Sequence, residues 1–167
     1  MNIAIIPARA NSKAIPNKNL KKIGSHSLLG WSILAAIESR CFDKIIVTTD
    51  GNLIMDEARI YGVNIVVRPP ELALDNARSI DAIKHTINYL GINEGTCVLL
   101  QPTSPFRNSG HIVAALEDFN RKKVKSLIFL INYKRPQIGA SLFLFWCINI
   151  LSRYLQSMDN RHSHNQY

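Results

Sequence analysis

Short apolar runs and amphipathic stretches take turns along the first three quarters of the chain. This alternation limits the fold more than any other feature. "IAII" (Ile3 to Ile6) is stopped by Pro7, as suits a buried parallel strand. "KIIVTTD" (Lys44 to Asp50) and "VNIVV" (Val63 to Val67) are rich in β-branched residues. "TCVLL" (Thr96 to Leu100) and "VKSLIFLI" (Val124 to Ile131) complete the predicted strands. Between them lie four helical stretches. The first is "SLLGWSILAAIES", ending near Arg40. The second, "NLIMDEARIYG", has Asn52 as its expected cap and Gly62 just past its end. In the third, Ser79 is the expected cap, Ile80, Ile83, Ile87 and Leu90 share one face, and Gly91 ends the helix. In the fourth, Ser109 is the expected cap and Ile112, Leu116 and Phe119 face the core. Strands separated by helices of this length form βαβ units with right-handed crossovers. The expected fold class is α/β, a three-layer α/β/α domain with a mostly parallel sheet.

Ligands of such sheets bind outside the carboxyl ends of the strands. That edge should gather Arg9, Lys13, Lys18, Asp50, Arg68, Gln101 and Ser104. The opening loop, "IPARANSKAIPNKNL", holds three of these cations, and Lys21 and Lys22 follow before the first carboxylate, Glu38. With a net charge of +8, the chain calls for an anionic partner. A loop of small residues and cations after a strand can wrap a polyphosphate, with backbone N–H groups close to the oxygens. It is not a Walker A loop, because G-x-x-x-x-G-K-[ST] is missing. Nucleic acid is disfavoured, since the cations cluster at strand ends without interleaved aromatics. The longest apolar stretch, Ile138 to Leu151, is short of the roughly 20 residues a membrane span needs. No signal peptide pattern is visible at the start, where "MNIAIIPARA" has a short apolar run and no charged n-region before it. Cys41, Cys97 and Cys147 are odd in number and widely spaced, which suits buried thiols of a cytoplasmic protein. Asp50 could touch a metal or ribose, or cap the following helix. Glu71 and Asp75 read as surface or capping residues, and His85 as a packed or surface histidine. His162 and His164 are too isolated for a metal site, and Ser104 lacks a His–Asp partner pattern.

The spacing Arg9-x-x-Ser12-Lys13-x-x-Pro16-x-Lys18-Asn19 resembles the N-terminal signature of the CMP-N-acylneuraminate (CMP-sialic acid) synthetases, cytidylyltransferases that activate acidic nine-carbon sugars. "FDKIIVTTD", "YGVNIVVRPPELALD", "SIDAIKH" and "LLQPTSPFRNSGHI" follow in family order. The likeness covers Asn2 to Leu127, so residues 1–127 are expected to form a cytidylyltransferase nucleotide-binding domain and 128–167 a divergent segment. Many members have glycine where this chain has Ala10, Asn11 and Ala14.

The resemblance implies transfer of CMP from CTP to sialic acid, giving CMP-sugar and pyrophosphate. It implies that Arg9, Ser12, Lys13 and Lys18 line the triphosphate, with Lys18 nearest the leaving pyrophosphate and Asn19 near the α-phosphate. Arg9, Lys18 and Asn19 would be the catalytic set. Arg68 and Ser79 would hold the cytosine end, and Gln101 would face the sugar. The family uses Mg²⁺ on an Asp-x-Asp pair and forms homodimers. Neither the pair nor the dimerisation segment is recognisable here. After Asp118 the only carboxylate is Asp159, so Asp50 is the remaining metal candidate. The alternative is a truncated, non-catalytic remnant that binds CTP only. Past Ile128 the strand–helix rhythm stops, and seven of the thirteen aromatics crowd the final stretch. The segment from Ile138 to Leu151 is expected to be exposed or loosely docked, and "DNRHSHNQY" to be a frayed tail.

Overall fold

The structure is a computed structural model describing residues 1–10, 15–74, 77–123, 126–133 and 141–151, the last two as backbone strands. Strand β1 (Asn2–Pro7) leads into a 3₁₀ turn (Lys18–Leu20) and a small hairpin of β2 (Lys22–Ile23) and β3 (His26–Ser27). Then come α1 (Leu28–Ser39), β4 (Lys44–Thr49), α2 (Asn52–Ile60), β5 (Asn64–Val67) and a second 3₁₀ turn (Pro70–Leu72). Helix α3 (Ser79–Tyr89), β6 (Glu94–Leu100), α4 (Ser109–Lys122), β7 (Ser126–Tyr133) and β8 (Ser141–Leu151) complete the order.

The main sheet runs β5-β4-β1-β6-β8-β7. Its first four strands are parallel, and β8 is antiparallel to both its neighbours. Alternation along the central strands explains the layers. Ala4, Ile6, Val47, Val98 and Leu100 pack with Leu29, Ile33, Ile54, Ala58, Ile112 and Leu116, from α1, α2 and α4. The alternate residues Ile3, Ile5, Ile46, Val66, Cys97 and Leu99 pack with Ile83 and Ile87 of α3. A strand covered on both faces has no polar face to show, hence the unbroken apolar runs in the sequence.

Three expected caps shift by one position. Gly51, not Asn52, precedes α2, with no side-chain cap. Arg78 precedes α3, so Ser79 is its first helical residue. Asn108, not Ser109, caps α4: its Oδ1 accepts from the His111 N–H at 3.0 Å, and His111 Nδ1 accepts from the Asn108 N–H at 3.3 Å. Asn and Ser both cap well, and the local sequence does not say which of two neighbours leaves helical geometry. Gly62 and Gly91 do follow their helices with left-handed φ of 67° and 63°.

The larger correction concerns Ile138 to Leu151. Its residues from Ser141 onward form β8, whose backbone pairs with β6 on one side and β7 on the other. The segment is therefore an interior strand of the sheet, not a loosely docked one. The tail "DNRHSHNQY", with His162 and His164, lies outside the described residues. Among the described residues no helix is long and apolar enough to cross a membrane.

Candidate functional site

A cleft of about 320 Å³ opens at the carboxyl edge of the parallel strands and brings Arg9, Lys18, Asn19, Arg68, Ser79 and Gln101 together. Each arrives by the local logic of its element. Pro7 ends β1, but the Ala8 N–H still donates to the Thr48 carbonyl at 3.0 Å, so Arg9 leaves the sheet on a fixed line. Asn17 in left-handed conformation (φ 51°) starts the 3₁₀ turn that carries Lys18 and buried Asn19. Asn19 Nδ2 donates to the Arg9 carbonyl at 3.0 Å, tying that turn to the first loop.

Arg68 follows β5 and is only 7% exposed. Its N–H donates to the Thr49 carbonyl at 2.7 Å and its Nη2 to the Thr48 carbonyl at 3.0 Å. Nε is buried without a hydrogen-bond partner among the described residues. Burial pushes the guanidinium below its usual pKa; nearby Asp50 opposes that shift and Arg9 adds to it. A buried, partly unsatisfied guanidinium beside another cation favours an incoming acceptor or anion. Pro69 and Pro70 stiffen the backbone that follows.

Gln101 continues from β6. Its carbonyl accepts from the Ser104 N–H at 3.2 Å and from Arg107 Nη1 at 3.2 Å. Arg107 is 3% exposed, and burial lowers its pKa to about 10. Its Nη2 donates to Ser32 Oγ of α1 at 2.7 Å. Sequence reasoning missed this residue, and nothing in "SPFRNSG" marks Arg107 as interior. It also missed Arg78, which lines the cleft and grips Asp81 with two bonds, Nε to Oδ2 at 3.1 Å and Nη2 to Oδ1 at 3.0 Å. Its place beside Ser79 at a helix start was the available signal.

Other expected site residues fall elsewhere. Ser104 is buried and does not line the cleft. Asp50 neither lines it nor caps α2; Asp50 Oδ1 accepts from the Ala10 N–H at 2.8 Å. Glu71 is exposed on its 3₁₀ turn. His85 stacks on Tyr89 with ring centroids 6.1 Å apart, away from the cleft. Cys41 is half-buried and Cys97 buried, and neither is in a disulfide. Ser12, Lys13 and Asp75 lie outside the described residues. No three His, Cys, Asp or Glu side chains gather as metal ligands among the described residues. The described lining holds four cations and no carboxylate, an arrangement suited to a polyanion held by point charges and guanidinium forks.

The chain is similar to known proteins over most of its length. A family model described as cytidylyltransferase matches residues 3–138. The N-acylneuraminate cytidylyltransferase of Escherichia coli O18:K1:H7 is 46% identical over 115 residues, 69% of this chain and 27% of that protein. The enzyme of the same name from Streptococcus agalactiae serotype V is 40% identical over 143 residues, covering 84% of this chain and 34% of its own. The chain thus spans 27% to 34% of the length of these two relatives. A solved CMP:2-keto-3-deoxy-manno-octonic acid synthetase, complexed with CTP, superposes with a TM-score of 0.71 at 12% identity, over 95% of this chain and 77% of that one. That likeness shows the fold.

Proposed function

Because the chain belongs to the cytidylyltransferase family, we propose that its cleft binds CTP and serves an N-acylneuraminate cytidylyltransferase reaction. In that reaction the anomeric hydroxyl of an acidic nine-carbon sugar attacks the α-phosphorus of CTP. The bond to the β-phosphate breaks, and CMP-sugar and pyrophosphate leave. The convergence of Arg9, Lys18, Asn19, Arg68, Ser79 and Gln101 on one cleft carries the reading. Nucleotidyl transfer asks the protein for positioning and charge neutralisation more than for covalent help. Arg9 and Lys18, with Ser12 and Lys13 of the same loop, would hold the triphosphate. Asn19 would sit near the α-phosphate, and Arg68 and Ser79 would meet the cytosine end. Gln101 would face the sugar.

The described lining does not fit a magnesium site of the protein's own, because it offers cations and neutral groups only, and Asp50 is not part of it. Magnesium used here would be held chiefly by the nucleotide's phosphate oxygens, a common arrangement for this ion. A cytoplasmic setting agrees with Cys41 and Cys97 standing outside any disulfide.

Calorimetry with CTP and with ATP tests the reading, and CTP should bind more tightly. Equal affinities would refute it. Pyrophosphate release with CTP, sialic acid and Mg²⁺ then separates the enzyme from a module that only binds CTP. The lack of a carboxylate in the described lining favours that second reading, and CTP binding without release would establish it.

A further inference from the structure

The peptide unit joining Arg9 to Ala10 is held at both of its polar ends by side chains, one 10 and one 40 positions along the chain. Its carbonyl accepts from Asn19 Nδ2 at 3.0 Å. Its N–H donates to Asp50 Oδ1 at 2.8 Å. A third contact fixes the same unit from the side. A Cβ on Gly51 would lie 2.7 Å from Ala10 Cβ, closer than two carbons can pack, so only glycine leaves room for Ala10 here. Gly51 has φ −113° and ψ 129°, which any residue adopts, so backbone conformation does not explain a glycine and the close approach of Ala10 does.

We propose that Asp50 and Gly51, at the end of β4, are positioning residues that clamp the Arg9–Ala10 peptide and thereby aim the Arg9 guanidinium into the cleft. Two alternatives for Asp50 make opposite demands. Were it only a nearby negative charge, it would repel a triphosphate, and removing it in any way would tighten binding. Were it a metal ligand, loss of the charge would weaken binding in magnesium alone. A clamp requires an acceptor oxygen at Oδ1 and no charge. Asparagine can supply that oxygen and alanine cannot. Fixing a peptide plane next to a cationic side chain lowers the ordering cost of binding, which is how a residue that does not line the cleft affects affinity.

The affinity readout rests on the CTP reading of the cleft; a second readout does not. In the full chain, exchange of the Ala10 amide is followed by NMR without ligand, and CTP binding by calorimetry in EDTA and in Mg²⁺. Asp50→Asn should keep the amide protected and bind CTP at least as tightly as the parent. Asp50→Ala should lose the protection and bind about tenfold more weakly in both buffers, the scale of one lost hydrogen bond. Gly51→Ala should reproduce that weakening, and it alone decides the affinity arm if Asp50→Ala does not fold. The clamp is overturned if the amide exchanges equally in the parent and Asp50→Ala. It is also overturned if folded Asp50→Ala or Gly51→Ala binds like the parent, or if Asp50→Asn loses as much as Asp50→Ala. Failure of the parent to bind CTP would sink the proposed function instead and leave the clamp to the exchange measurement.

Discussion

Arg9 and Arg107 carry the same charge in opposite surroundings, and the surroundings decide what removing each one does. Arg9 is half-buried and lines the cleft. Arg9→Ala should weaken CTP binding by about 1.5–3 kcal/mol, the range for a charged hydrogen bond, with little change in stability. Calorimetry alongside urea unfolding checks both halves. Arg107 is interior and bonds the Gln101 carbonyl and Ser32 Oγ. Its pKa, lowered by burial to about 10, means that the charged form works against the fold below that pH, a cost lifted as pH rises above about 10 toward the ordinary guanidinium range. The two hydrogen bonds offset that cost. Arg107→Ala would take a donor from Ser32 Oγ and from the Gln101 carbonyl, which keeps the Ser104 N–H, and would leave a void, so stability should fall by about 1.5–3 kcal/mol in urea. An unchanged unfolding midpoint would contradict this. Arg9 is legible from sequence because its role is local: a cation just past a strand end. Arg107 is not, because Ser32 lies 75 positions away. Asp50 is hidden in the same way, with Ala10 40 positions away.

At the scale of elements, periodicity locates α1 to α4 and the parallel strands to within a few residues, while ends depend on a single side chain. Asn108 makes the reciprocal cap of α4 with His111. Asn108→Ala should cost about 1 kcal/mol in thermal or urea unfolding. Ser109→Ala, one residue into the helix, should stay within about 0.5 kcal/mol of the parent. The reverse order would restore Ser109 as the cap. The hairpin of β2 and β3 escaped sequence reading because two-residue strands carry no period to detect. The site was legible where parallel topology gathers strand ends at one edge, as for Arg9, Arg68 and Gln101. Leu72, Leu74 and Ala77, which also line the cleft, were not, because they follow β5 in the connection to α3, whose path the strands do not set.

For the whole molecule the question is what the sheet loses without β8. Local reading treats the apolar stretch after Tyr133 as dispensable, since the strand–helix rhythm has ended and no neighbour is apparent. Pairing across the sheet is a long-range property, and Glu94 to Leu100 of β6 meet Leu151 to Phe145 of β8 across a wide gap in sequence. Strand β8 also carries β7, whose Ser126 to Tyr133 pair with Ile148 to Ser141. A chain ended after Tyr133 would therefore lose an interior strand. The β6 edge would be bared, and β7 would have no described strand to pair with. Bared backbone donors and acceptors are costly in an interior and recruit other chains at an edge. Truncation after Tyr133 should thus yield aggregated or poorly folded protein, read by circular dichroism and sedimentation. A single substitution makes the same point without deleting mass. Cys147 pairs with Val98 on one side and Leu127 on the other. Cys147→Pro would remove an N–H from the middle of a strand with neighbours on both sides, where proline is hardly ever accommodated. Its loss of folded protein should approach that of the truncation, while Cys147→Ala should leave the pairing intact. A soluble, cooperatively unfolding truncated chain would show that the parallel strands and their helices complete the core unaided, with β8 only resting on the edge of β6.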